Sequence, residues 1–359
     1  MMRTILLFLV LLGSSLVVVC AEEPSLPIRG ADLSLLGYLE AQGVQFKDGG
    51  QTRDAIAIFR NHGFNYVRLR LFLQPDGTQG QVNTLAYTEA LARRIKAAGL
   101  HLLLDLHYSD GWADPGHQAT PRQWRGLNHQ QLVDRVFGYT RDTLAQFQQA
   151  GCLPDMVEVG NEITHGMLWP DGRNSSDAGW DRLADLLKAG IRGVHAADPG
   201  GTTKILIHID RGSHLSVSKW FFDHLMARHV PFDYIGLSYY PFWNGPLPGL
   251  QKNLAFLATT YHKDIIVAET DGNWRGGDPK RTYFPATPAG QKAFLELLMK
   301  TVAATPEGHG KGVFYWGSEW IANGPWQAPG WLTSWEDRAL FDPSGNALPG
   351  LDAFRAPAP

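Results

Sequence analysis

A single (β/α)8 barrel, an α/β fold in one domain, is what the sequence predicts, on three observations. Eight short apolar runs alternate with segments of helical periodicity. The loops after the runs are long and rich in Gly, Pro, Asp and Trp, whereas the turns after the helical segments are short. No Ser-, Pro- or Gly-rich linker divides the chain, and barrels commonly reach this length, so size alone does not call for two domains. A doubly wound open sheet is the competing fold. It would show a Gly-rich phosphate turn after the first strand, and Gly30-Ala31-Asp32-Leu33-Ser34-Leu35 is no such turn.

In order, the strands are read at residues 28–34, 65–71, 100–106, 155–161, 203–209, 233–238, 264–269 and 311–316. The helices between them are read at 52–61, 86–98, 129–150, 180–197, 216–228, 250–261 and 291–303. Ala97-Ala98-Gly99, Ala150-Gly151 and Asp198-Pro199-Gly200-Gly201 are typical of the short turns. The asymmetry between the two kinds of connection places function at the carboxyl ends of the strands, where barrel enzymes keep their chemistry.

Ahead of the barrel, Met1-Met2-Arg3 precedes an apolar stretch interrupted by Gly13-Ser14-Ser15 and ending at Val19-Cys20-Ala21. This reads as a secretory signal peptide over residues 1–21, leaving 22–359 as the catalytic barrel of a secreted or periplasmic protein. A membrane anchor would need roughly 20 uninterrupted apolar residues. A lipid on Cys20 is the lesser alternative, because bulky valines precede it. Cys152 is then the one cysteine left, so the fold rests on its core. A chain this long buries about three quarters of its unfolded surface, and 17 Phe, 12 Trp and 11 Tyr supply the apolar area. A net charge of −3, from 32 basic and 35 acidic residues well interspersed, leaves no footprint for nucleic acid or an anionic membrane. The Trp excess suits either a core or flat platforms for sugar rings.

The chemistry is carried by strand ends. Val157-Glu158-Val159-Gly160-Asn161-Glu162 delivers a carboxylate at the end of the fourth strand, and Ile265-Ile266-Val267-Ala268-Glu269 delivers another at the end of the seventh. Two carboxyl groups across one cleft are the minimal equipment for glycosidic cleavage, with retention at about 5–5.5 Å separation and inversion at larger separation, and position alone leaves both open. Either Glu alone fits a cap or an ion pair equally well; the two together do so far less readily. Glu158 shares the parity of Glu162 about 13 Å deeper in the barrel, at roughly 3.3 Å per residue. It is assigned to a buried ion pair with Arg68 or Arg70, Arg68 being structural and Arg70 the arginine at the rim. His107 and Trp112 follow the third strand. With no His-x-His on the first strand, His107 is read as a hydrogen-bond donor to sugar hydroxyls and not as a metal ligand. Asn161, His208 and Asp210 are further polar candidates, Tyr239 or Tyr240 a partner for the nucleophile, and Trp243 and Trp316 walls or floor of a sugar subsite.

Taken in order, these residues resemble glycoside hydrolase family 53, the endo-β-1,4-galactanases that cut galactan side chains of pectin. The resemblance runs through Gly30-Ala31-Asp32, Phe46-Lys47-Asp48, Asn65-Tyr66-Val67-Arg68-Leu69-Arg70, Leu104-Asp105-Leu106-His107-Tyr108-Ser109-Asp110-Gly111-Trp112 and Val159-Gly160-Asn161-Glu162-Ile163. It continues through Ser238-Tyr239-Tyr240-Pro241-Phe242-Trp243, Ala268-Glu269-Thr270 and Gly312-Val313-Phe314-Tyr315-Trp316. It implies a (β/α)8 barrel and a retaining mechanism, with Glu162 as general acid/base and Glu269 as nucleophile. Two turns depart from the family pattern. Asp271-Gly272-Asn273-Trp274 stands where an aromatic-proline turn is usual, and Gly317-Ser318-Glu319-Trp320 where Glu-Pro-Ala-Trp is typical, which bears on subsite preference. No cofactor is required. Some members hold calcium near the seventh-strand loop, where Asp271 and Asp278 are the available carboxylates, though no pattern demands it.

The expectation is therefore an exported monomer that hydrolyses galactan. The alternatives are the same scaffold acting on a glucan or mannan, or a catalytically silent sugar-binding barrel.

Overall fold

The computed structural model describes residues 26–356 apart from 279, 280, 282, 325 and 326. The expected signal peptide at 1–21, with Cys20, lies outside the described residues. Eight strands pair in parallel all the way round a closed barrel: β1 Ile28–Asp32, β2 Tyr66–Leu71, β3 His101–Leu106, β4 Met156–Val159, β5 Lys204–Ile209, β6 Tyr234–Ser238, β7 Asp264–Thr270 and β8 Gly310–Tyr315. Every predicted strand is present. The main helices between them are α1 Ala55–Asn61, α2 Leu85–Ala97, α3 His129–Gln149, α4 Asp177–Ala197, α5 Leu215–Ala227, α6 Leu247–Tyr261 and α7 Pro288–Ala303.

The differences from expectation are at helix starts, and capping explains them. Thr52 does not open α1: Gln51–Arg53 instead pairs antiparallel with Phe46–Asp48 across a turn in which Gly49 and Gly50 both have positive φ. Asp54 then caps α1 by accepting from the Ala57 amide. Ser176 and Thr287 likewise start α4 and α7 a turn earlier than the apolar pattern suggests.

Two apolar cores share the strands. Outward residues pack under the helices, while Ile28, Leu103, Met156, Leu206, Ile266, Ala268 and Phe314 fill the barrel itself, with Tyr66 and Tyr234 packed against them. Gly30 makes room for this filling, since a Cβ there would lie 2.1 Å from the Phe314 ring. Above that plug the inward positions turn polar. Arg70, Asp105 and Glu158 share one level by register, and Asp32 pairs with Arg68 beside them. The apolar layer below excludes water, so these charges have only each other as partners.

One irregularity positions the site. On strict alternation Ile266 and Ala268 face inward and Glu269 outward. Instead Leu237 is level with Val267 and Ser238 with Glu269, a bulge that skips Ala268 and swings Glu269 into the barrel mouth.

Candidate active site

A cleft of about 290 Å3 opens over the carboxyl ends of the strands, and both Glu162 and Glu269 line it. β4 ends at Val159, after which Gly160 (φ 87°) and Glu162 (φ 47°) adopt left-handed backbone. Such a conformation at a non-glycine residue costs about 1–3 kcal/mol and is held only where surroundings impose it. Here Asn161 imposes it. Its Nδ2 donates to the Ala113 carbonyl (2.7 Å), its Oδ1 accepts from Arg68 Nη2 (2.8 Å), and its own carbonyl accepts from Gln118 (2.7 Å).

The two carboxyls stand in contrasting surroundings. Glu269 Oε1 is 2.8 Å from Arg68 Nη1, and its Oε2 accepts from the Tyr240 hydroxyl at 2.7 Å. Burial first, and then the Glu269 charge, hold the Tyr240 phenol well above its usual range, so it remains a donor. Glu162 has no cation within ion-pair reach among the described residues, and accepts from Ser238 Oγ at 2.5 Å. Burial, then the facing Glu269, push its carboxyl up to about 8.

Beneath the pair lies one network. Arg68 reaches Glu158 (2.9 Å), Asp105 (2.9 Å) and Asp32 (3.2 Å) as well as Glu269. His208 Nδ1 contacts Glu158 at 2.7 Å and its Nε2 contacts Ser238 Oγ at 2.8 Å, so Ser238 links the buried imidazole to Glu162. Burial opposes charge on His208, but Glu158 outweighs it and raises the imidazole to about 9. Burial likewise opposes charge on Glu158, yet Arg68 and His208 hold it well below the ordinary carboxylate range.

Several sequence expectations land in the cleft and several do not. Arg70, His107, Trp112, Asn161, Trp243 and Trp316 line it with the two glutamates. The roles of the arginines differ from expectation: Arg68, read as purely structural, is the one that meets Glu269. Arg70 lies over Trp112 (4.5 Å) and contacts Asp32 at 3.4 Å, and its Nε and Nη2 have no partner among the described residues. Both side chains face inward from β2, and Arg68 starts deep enough to span the network. Tyr239 is corrected to Tyr240. After inward Ser238, alternation sends Tyr239 into the outer core, where it donates to the Gly245 carbonyl at 2.7 Å. His107 has no ring nitrogen left for a sugar, because Nδ1 accepts from the Ala113 amide and Nε2 meets Asp105 at 2.8 Å. His208 and Asp210 do not line the cleft; Asp210 is held by Thr164 and Arg211.

The sequence reading missed Ser238, which the parity of β6 could have given, and the aromatic wall of Trp320, Trp331 and Trp335. The segment that bears Trp331 and Trp335 is tied to the divergent turn after β7. Trp274 donates from its amide to the Asp337 carbonyl and from its indole to the Glu336 carbonyl, and Arg275 pairs with the side-chain carboxylates of both residues. Asp271, one of the two carboxylates available for calcium, meets Arg338 at 3.2 Å, so a cation already occupies one side of it. No group of three or more His, Cys, Asp or Glu ligand atoms converges there among the described residues.

Residues 28–354 match the sequence model of glycosyl hydrolase family 53. The chain belongs to that family. Among family relatives, it is 38% identical over 315 residues to a probable arabinogalactan endo-β-1,4-galactanase A of Neosartorya fischeri, covering 83% of this chain and 86% of that protein. It is 34% identical over 347 residues to the arabinogalactan endo-β-1,4-galactanase of Humicola insolens, covering 92% and 99%. The family 53 catalytic domain of Ignisphaera aggregans superposes with a TM-score of 0.85 at 35% identity, covering 94% and 98%. Membership of family 53 makes this chain a glycosidase.

Proposed function

We propose that the protein is an exported, monomeric, retaining endo-β-1,4-galactanase acting on the (arabino)galactan side chains of pectin. Glu162 is the general acid/base and Glu269 the nucleophile. The observation that carries this reading is the contrast between the two carboxyls of one cleft. Glu162 is pushed toward its protonated form, ready to donate to the leaving oxygen. Glu269 is flanked by a guanidinium and a phenolic donor, the partners of an anion. In the first step Glu162 gives its proton to the glycosidic oxygen while Glu269 attacks the anomeric carbon. In the second, Glu162, now a base, takes a proton from the water that releases the sugar. Galactan as substrate follows the names of the fungal relatives, and export follows the amino-terminal segment.

Incubation with linear galactan, with the anomeric form of the first-released product followed by NMR, tests the reading. Galacto-oligosaccharides of β configuration are expected; initial α product excludes retention, and activity confined to glucan or mannan excludes the substrate.

Ser238→Ala is expected to move the basic limb of the pH–rate profile. Loss of Glu162's proton sets that limb, so activity falls as pH rises through its pKa. The Ser238 hydrogen bond favours the ionised form; a bond to a charged group is worth about 1.5–3 kcal/mol, so without it the limb shifts upward by about one to two pH units. A limb that stays in place removes Ser238 from this role.

Trp243, 58% exposed beside the cleft, is the platform best placed for a sugar face. Trp243→Ala is expected to raise KM by up to about tenfold with kcat little changed, measured on galactan. Arg70, with two unpartnered donors at the cleft wall, is assigned to substrate hydroxyls.

A further inference from the structure

On the face opposite the cleft, His262, Glu307 and His309 gather at the amino-terminal ends of β7 and β8. Each offers one ligand atom, and the three atoms lie within 4.8 Å of one another. Glu307 Oε2 stands 3.6 Å from His262 Nδ1 and 3.6 Å from His309 Nε2. That spacing is too long for hydrogen bonds. It is close to the span of two ligands on one tetrahedral zinc, about 3.4 Å for bonds of 2.0–2.1 Å.

The imidazole of His309 is oriented for this use. Its Nδ1 donates to Asp264 Oδ1 at 3.0 Å, which leaves the Nε2 lone pair facing Glu307. A carboxylate behind a ligating histidine fixes its tautomer and raises its basicity. Lys311, 3.5 Å from the same Asp264 oxygen, neutralises that carboxylate, and the ammonium of Lys263 is turned away onto the Phe232 carbonyl. His262 and Glu307 both hold left-handed backbone, with φ of 50° and 57°. Neither is glycine, the residue that takes this conformation without cost, and both side chains are exposed.

We propose that this is a zinc-class metal site, with His262, Glu307 and His309 as three ligands, water as the fourth and Asp264 behind His309. Two imidazoles and one carboxylate suit zinc and not calcium. The ion ties the turn after α6 to the turn before β8, at the foot of the barrel.

Isothermal titration of the full chain with Zn2+ tests it. One ion per chain is expected, with a thermal midpoint that rises on addition of Zn2+. His262→Asn and Glu307→Asn keep a residue that tolerates the left-handed backbone, so folding is not confounded. Each is expected to weaken Zn2+ by more than about tenfold and to abolish the thermal shift, while His195→Ala, elsewhere on the surface, does neither; Asp264→Asn is expected to cost roughly 10–100-fold. Galactan hydrolysis is unaffected in all of them. Absence of Zn2+ binding, equal affinity in the His262→Asn/Glu307→Asn double variant, or Ca2+ binding lost in that variant overturns the proposal.

Discussion

Glu269→Gln is expected to fold and to bind galactan but to lose turnover by about 10⁴- to 10⁶-fold, as removal of a covalent nucleophile does. Glutamine keeps the shape and accepts from Tyr240 as before, so the loss reads the missing nucleophile and not a collapsed cleft. Glu162→Gln is expected to differ in kind. On galactan, where the leaving alcohol needs a proton, the loss is about 10²–10⁴-fold. On an aryl galactoside, whose phenolate leaves unaided, formation of the covalent intermediate proceeds, seen as a burst of phenol followed by slow turnover. Parallel losses on both substrates for Glu162→Gln would refute the assignment of roles, and a burst from Glu269→Gln would reverse it.

Arg68→Met is expected to be the most destabilising single substitution in the barrel mouth, by about 3–5 kcal/mol. The guanidinium is wholly buried and meets Asp32, Asp105, Glu158 and Glu269 within 3.2 Å. Its removal leaves buried carboxylates without a cation. The sign with pH follows from Glu158, whose folded pKa lies below its unfolded value. The stability that Glu158 contributes is present above the unfolded carboxylate range and is lost as pH falls through the folded value. The gap between Arg68→Met and the parent is therefore expected to hold down to the ordinary carboxylate range and to narrow only as pH falls below it toward about 2. Urea unfolding at neutral and acid pH measures it, and a gap that is constant with pH contradicts this account of the network.

What the sequence carried was periodicity. All eight strands and all seven main helices were legible because an apolar run and an amphipathic segment differ in period, and Glu162 and Glu269 because each ends such a run in a charge. Contacts that depend on side-chain reach were not legible. Arg68 and Arg70 share a face two residues apart, and only the depth of the network shows which meets Glu269. Tyr239 and Tyr240 differ by one step of alternation, so that choice was recoverable from Ser238. His107 and His208 read as free polar groups, yet their nitrogens are taken by Ala113, Asp105, Glu158 and Ser238, partners distant in the chain. The wall of Trp331 and Trp335 depends on Asp337 and Glu336 meeting the turn after β7, a pairing without local signature.

The skipped residue at Ala268 has a bearing on how such proteins are recombined. A loop exchanged between related barrels at Thr270 would import the rim but take the aim of its acid from whatever strand the host supplies. In a host of regular pleat, the glutamate would point into the packed shell beneath the helices. Segments cut before Val267 carry the irregular register with them, and the natural seam for transplanting this half of the cleft lies inside the strand.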